Sequence, residues 1–236
     1  MRRFVLPMSF LLLALSAGST EAPPLFSAMK PGDTIASPLR IIALPRVNPN
    51  QFDLVEDEGK TVLRVSSSAS AATVGIPLTS PAAPNTRIEW RWKVSNVLMN
   101  ADMEEKSGDD FAARLYVFFD APLSSLTFFE RTKNRLVRMV WGEEVPTAAV
   151  CYVWDNKHPV GHTHFSPYSS RVHVVVMQSG SGNVGKWVNE SRDAAADFKK
   201  AFGIDAPAIT GVAVGSDTDQ TRDSVRTWFG DVVLKR

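Results

Sequence analysis

The sequence predicts a mainly β fold, a two-sheet β-sandwich of jelly-roll type with one α-helix in the C-terminal half, at about 191–202. Three observations predict it. Thr86–Val94 alternates strictly, with Ile88, Trp90, Trp92 and Val94 on one face and Arg87, Glu89, Arg91 and Lys93 on the other, as a half-buried strand requires. Short apolar runs recur along the rest of the chain between breaks rich in Gly, Pro, Asn, Asp and Ser. A single stretch has helical spacing with a start and a stop signal.

Taken in order, residues 1–22 read as a secretory signal: Arg2 and Arg3 precede the apolar run Phe4–Leu15, and small residues follow. That run is too short for a comfortable membrane span. Residues 23–50 carry Pro23, Pro24, Pro31, Pro38, Pro45 and Pro49 and read as an extended leader, within which Leu39–Leu44 can pair as an edge strand. Residues 51–236 form the sandwich domain. Phe52–Val55 and Thr61–Val65 flank a turn at Gly59 and predict a hairpin. The Ser/Ala run at 66–72 reads as a loop inside the domain. Further strands are expected at Asp110–Phe119, Leu136–Trp141, Ala148–Trp154 and Arg171–Gln178, with a shorter one beginning at Lys186. Ser191 is the expected helix cap and Gly203 the expected stop. The stretches Ile209–Asp223 and Val225–Leu234 are expected to close the domain as a final hairpin, two apolar strands joined by a short acid-rich loop that carries Asp217, Asp219 and Asp223.

The charge is balanced, at a formal +1, and no block of like charge runs along the chain. This removes nucleic acid and anionic membrane surfaces from the partners to consider, and after signal removal no membrane insertion is expected. Cys151 is the single cysteine, so the chain cannot close a disulfide on itself. Walker loops, dinucleotide fingerprints and a Gly-x-Ser-x-Gly elbow are absent from the sequence.

Several segments occur together: Lys106–Asp120, Cys151–Asp155, Ser166-Pro-Tyr168 with Arg171-Val172, Gly185–Asp193 with Ala196–Phe198, and Gly211–Asp219 with Phe229-Gly-Asp231. In these the chain resembles the bacterial domain-of-unknown-function family 3047, from roughly residue 50 to the end. The resemblance implies a single exported β-sandwich and no assigned reaction. The last segment also has a distant, fold-level likeness to jelly-roll carbohydrate-binding domains.

The candidate ligand-binding residues are Asp110, Arg114, Tyr152, Trp154, Asp217 and Asp219. Carboxylates two apart at a strand end converge on one cation or shape a turn, and a structural calcium ion at Asp217 and Asp219 is the one cofactor this pattern allows. Tyr152 and Trp154 share a strand face, where rings either stack on pyranose C–H faces or fill a core. Arg114 stands in an apolar strand and needs a carboxylate partner, Asp110 or Glu89. His158, His162 and His164 offer imidazoles in a loop, as metal ligands or as ordinary loop residues. Cys151 reads as an inert core thiol.

The first reading is a periplasmic or secreted, non-catalytic domain that binds a glycan or another cell-envelope ligand. The alternatives are a polysaccharide lyase or glycoside hydrolase using acidic residues in a sheet cleft, and a structural envelope protein. No residue is assigned a catalytic role.

Overall fold

Trp90 and Trp92 sit two apart on a strand whose outward face is wholly charged, so burying them demands a second layer. A computed structural model, which describes residues 24–121 and 147–235, supplies that layer. Its elements are β1 (Arg40–Ala43), β2 (Gln51–Asp57), β3 (Lys60–Ser68), β4 (Ala71–Ala82), β5 (Arg87–Val94), β6 (Phe111–Phe119), β7 (Ala148–Asp155), β8 (Thr163–Phe165), β9 (Val172–Ser179), β10 (Val188–Asp193), α1 (Ala194–Phe202), β11 (Ile209–Asp217), β12 (Ser224–Phe229) and β13 (Val233–Lys235). Strands β1-β4-β11-β6-β7-β9-β8 form one sheet. Strands β10-β5-β12-β3-β2 form the other, with β13 also paired to β5. Every described pairing is antiparallel except β7 with β9. This is the predicted two-sheet sandwich with one helix in the C-terminal half. The signal segment and the strand expected at Leu136–Trp141 lie outside the described residues. No described helix is long and apolar enough to cross a membrane.

The two sheets meet on aromatic rings. Trp90 stacks on Tyr152 at 5.2 Å between centroids, and Trp92 lies 6.1 Å from Trp154 and 6.4 Å from Phe229. From α1, Phe198 adds a ring 4.6 Å from Phe119. Phe26, from the Pro-rich leader, is also fully buried in this core, and Ser27 beside it donates its backbone N–H and its hydroxyl to Asp231. The edge strand expected within Leu39–Leu44 forms as β1 on β4.

Three local expectations change. The hairpin at β2–β3 forms, with Glu58 and Gly59 at positive φ in its two-residue turn, the conformation that matches strand twist. The final hairpin does not form: β11 lies in the seven-stranded sheet between β4 and β6, and β12 lies in the other sheet between β5 and β3. Residues 218–223 therefore cross between layers. The reason is burial, since β11 is covered on both faces while β12 alternates. The Ser/Ala run is a second crossing, from β3 to β4. Its hydroxyls are buried in hydrogen bonds, Ser67 with Thr218 at 2.8 Å and Ser70 with Asn50 at 2.7 Å. Finally, Ser191 lies within β10, and the helix cap is Asp193, whose carboxylate accepts the Ala196 N–H at 3.0 Å. Gly203, left-handed at φ 72°, ends the helix as expected.

The aromatic core sets the stability. Trp92 is fully buried, so Trp92→Ala should cost about 3–5 kcal/mol through lost transfer energy and a residual cavity. Urea unfolding monitored by far-UV circular dichroism checks this. A loss below about 1 kcal/mol would mean that the sheets are not held through this ring.

Candidate functional site

On β6, Leu115, Val117 and Phe119 enter the intersheet core, which leaves Arg114, Tyr116 and Phe118 on the outer face of the seven-stranded sheet. Across from them on β11 stand Gly215, Ala213 and Gly211. A Cβ at Gly215 would drive into the Ala72 carbonyl of β4, so only glycine allows these strands to approach as they do. The next outward residue on β11 is Asp217.

Arg114 is 8% exposed and organises this end of the face. Its guanidinium forms an ion pair with the Asp217 carboxylate. It donates to the Asp109 carbonyl at 2.6 Å and to the Tyr116 hydroxyl at 2.8 Å, and lies 4.7 Å from the Phe111 ring centroid. Asp110 is fully buried and turns the other way. It accepts from the Thr221 N–H at 2.6 Å, the Thr221 hydroxyl at 2.7 Å and the Gln220 N–H at 3.3 Å. This fastens the crossing that carries Asp219. Carboxylate oxygens of Asp110, Asp217 and Asp219 come within 4.8 Å of one another. One oxygen each of Asp217 and Asp219 is buried without a hydrogen-bond donor.

This crowding raises the proton affinity of two of the acids. Burial pushes the Asp217 carboxyl well above the usual carboxylate range; Arg114 opposes this, and Asp219 and Asp110 add to it. Burial also raises Asp109, against the pull of Arg114 and the Ser166 hydroxyl. Burial lifts the Tyr116 hydroxyl above its ordinary value and the Cys151 thiol, opposite it on β7, to about 12, so neither serves as a ready nucleophile. At the rim, Tyr168 is 49% exposed. Its hydroxyl donates to the Lys106 carbonyl at 2.8 Å, and its N–H donates to the Ser166 hydroxyl, which in turn donates to Asp109 at 3.4 Å.

Four of the six expected residues, Asp110, Arg114, Asp217 and Asp219, therefore come together. Tyr152 and Trp154 do not join them. They do share a face, but it is the inner one, at 0% and 1% exposed. The Tyr152 hydroxyl donates to Asp197 at 2.7 Å, and the Trp154 indole N–H donates to the Gly180 carbonyl at 3.2 Å. Every residue of β7 is buried, so alternation separates its two faces without saying which is outermost. The partner of Arg114 is Asp217 rather than Asp110 or Glu89; Glu89 pairs with Lys235 at 2.5 Å. Sequence reasoning missed Tyr116 and Tyr168. Tyr116 was within reach, two residues from Arg114 and hence on its face. Tyr168, in a loop, had no periodicity to reveal it.

A second group of potential ligands, Glu104, His158 and His162, lies on two loops. His164, expected alongside them, lies on β8 outside that group.

The sequence profile of one family matches residues 38–233. The chain belongs to that family, DUF3047, described as a protein of unknown function. Solved structures similar to this DUF3047 chain include endoglucanase 3 of Trichoderma harzianum, from family GH12. It is 7% identical with a TM-score of 0.41, over 85% of this chain and 98% of that one. Another is the xyloglucanase domain of NopAA, a type three effector from Sinorhizobium fredii, in complex with cellobiose. It is 10% identical with a TM-score of 0.42, over 82% and 90% of the two chains. A third is the cellulose induced protein Cip1, 12% identical with a TM-score of 0.40, over 84% and 90%. No curated protein matches the DUF3047 chain by sequence.

The raised proton affinity of Asp217 has a measurable sign. A carboxyl whose folded pKa exceeds its unfolded value of about 3.9 stabilises fully below that value, and the contribution is lost as pH rises through the folded pKa. Asp217→Asn removes this loss. Its melting temperature relative to wild type should climb as pH is raised from about 4 toward neutrality. A difference that stays flat would mean that Asp217 is an ordinary ionised partner of Arg114.

Proposed function

We propose that the protein is a periplasmic or secreted domain that binds a glycan without cleaving it, at the outer face of the seven-stranded sheet. One observation carries the proposal: the exposed ring of Tyr168 stands beside a buried cluster of acids whose rim residues, Asp219 and Gln220, are half-buried. A pyranose offers an apolar C–H face to such a ring and hydroxyl donors to such acceptors. Tyr116 and Phe118, half-buried and stacked at 5.9 Å on the same face, extend the aromatic surface along β6. The guanidinium of Arg114 is engaged by Asp217, Tyr116 and the Asp109 carbonyl, which favours a neutral glycan over a uronate. The basic and apolar segment at Arg2–Leu15 supports the export part of this reading.

A catalytic reading rests on the raised proton affinity of the Asp217 carboxyl, a property useful to a general acid in a lyase or hydrolase. A calcium ion across Asp217 and Asp219 is a second way to neutralise the same acids, supported by their donor-free oxygens.

Glycan-array screening followed by calorimetry tests the proposal. Tyr168→Ala, at an exposed site, should weaken binding about tenfold, the equivalent of about 1.4 kcal/mol of ring contact. It should leave the melting temperature unchanged. Binding that persists undiminished removes this surface from consideration. Release of reducing ends or unsaturated sugars by wild type, lost in Asp217→Asn, would replace binding with catalysis. A calcium-induced rise in melting temperature, lost in Asp219→Asn, would put the ion in the site.

A further inference from the structure

We infer that Glu104, His158 and His162 form a binding site for a first-row transition-metal dication, zinc being the best fit, at the end of the sandwich where two connections meet. The β5–β6 connection, 95–110, brings Asp102 and Glu104, and the β7–β8 connection, 156–162, brings His158 and His162. Their rings stack at 4.7 Å between centroids, 16° from parallel. The His162 Nε2 lies 3.0 Å from Glu104 Oε1, and the His158 Nε2 lies 3.8 Å from both Glu104 Oε1 and Asp102 Oδ1. Two ligands about 2.1 Å from one ion at tetrahedral angles stand about 3.4 Å apart, so these separations bracket the required one.

The surroundings are those of a metal ligand. The Asp155 carboxylate, with its side chain fully buried, accepts from the His158 N–H at 2.6 Å and lies 2.9 Å from His158 Nδ1. A carboxylate only accepts, so it places the imidazole proton on Nδ1 and leaves the Nε2 lone pair facing Glu104 and Asp102. That is the carboxylate–histidine–metal arrangement, in which the Nε2 lone pair and the two carboxylates converge on a point that a metal ion or a proton can occupy. The carboxylate side is held equally firmly. Met103 is fully buried under the sheet's outer face, and the Asp102 N–H donates to the Gly108 carbonyl at 2.7 Å. A Cβ at Gly108 would come within 2.7 Å of that same nitrogen. Lys157 pairs with the other oxygen of Asp102, which leaves Asp102 as the outer member of the set. Two imidazoles and a carboxylate suit zinc with an open position, and suit calcium or magnesium poorly. The bound ion would tie together two connections, one of which also carries Asp109 and Asp110.

Tag-free protein stripped with EDTA and titrated with zinc chloride by isothermal titration calorimetry tests this. The expected result is saturable binding of one zinc per chain. His162→Ala and Glu104→Gln, at half-exposed and exposed side chains, should each lower affinity at least tenfold. His164→Ala should bind as wild type. No saturable zinc binding to wild type, or binding that His162→Ala and Glu104→Gln leave intact, would overturn the site.

Discussion

The rings of Trp90, Tyr152, Trp92 and Trp154 span the gap between the two sheets, and their packing fixes which side of every neighbouring strand faces outward. Once Tyr152 and Trp154 point inward, Cys151 and Val153 must point outward, and the antiparallel register sets Tyr116 and Arg114 opposite them on β6. The same register sets Gly215 opposite Arg114 on β11. The ion pair of Arg114 with Asp217 thus follows from a packing choice made two strands away. A slip of one residue would bury the guanidinium between the sheets and expose the aromatic rings.

The chain enters and leaves this arrangement through two crossings that lie against each other. Ser67 and Ser70, at the β3–β4 crossing, bond to Thr218 at the start of the β11–β12 crossing. Asn50 reaches across to the carbonyls of Ala72 and Ser216. The Ala112 carbonyl accepts from Ser216 of one sheet and Thr227 of the other. A buried polar network of this kind stabilises only when its members are satisfied, and here it supplies position as well as stability. Asp110 completes it by fastening Thr221. Asp110 is therefore a structural support of the site, and the chemistry open to ligands rests with Asp217, Asp219, Asp109 and the tyrosines.

Much of this was legible in the sequence. Alternation at Thr86–Val94, the cap and stop of one helix and the Gly59 turn gave the sandwich and its helix, and the shared segments gave the family. The grouping of Asp110, Arg114, Asp217 and Asp219 was also legible, because polar residues at the ends of apolar strands have few places to go. What failed has a common cause. In a sheet buried on both faces, apolar content no longer marks the inside, so alternation put Tyr152 and Trp154 on one face without telling whether it meets ligands or fills the core. Sequential strands do not declare whether their connection turns within a layer or crosses between layers, so β11 and β12 looked like a hairpin. Ser191 looked like a cap because Ser, Asp and Asn are interchangeable signals, and only the pairing of β10 with β5 shows that the strand continues to Asp193.

The central claim is that ligands meet this protein on the outer face of the seven-stranded sheet, beside the Arg114–Asp217 pair. Backbone amide NMR during titration with a bound oligosaccharide tests it most directly. Amide shifts are expected at residues 114–118, at Ser166 and Tyr168, and at 215–220, with the indole signals of Trp187, packed against Arg91 of β5, and of Trp228 on β12 unmoved. Shifts concentrated at Trp187 and Trp228, with β6 and β11 silent, would contradict it.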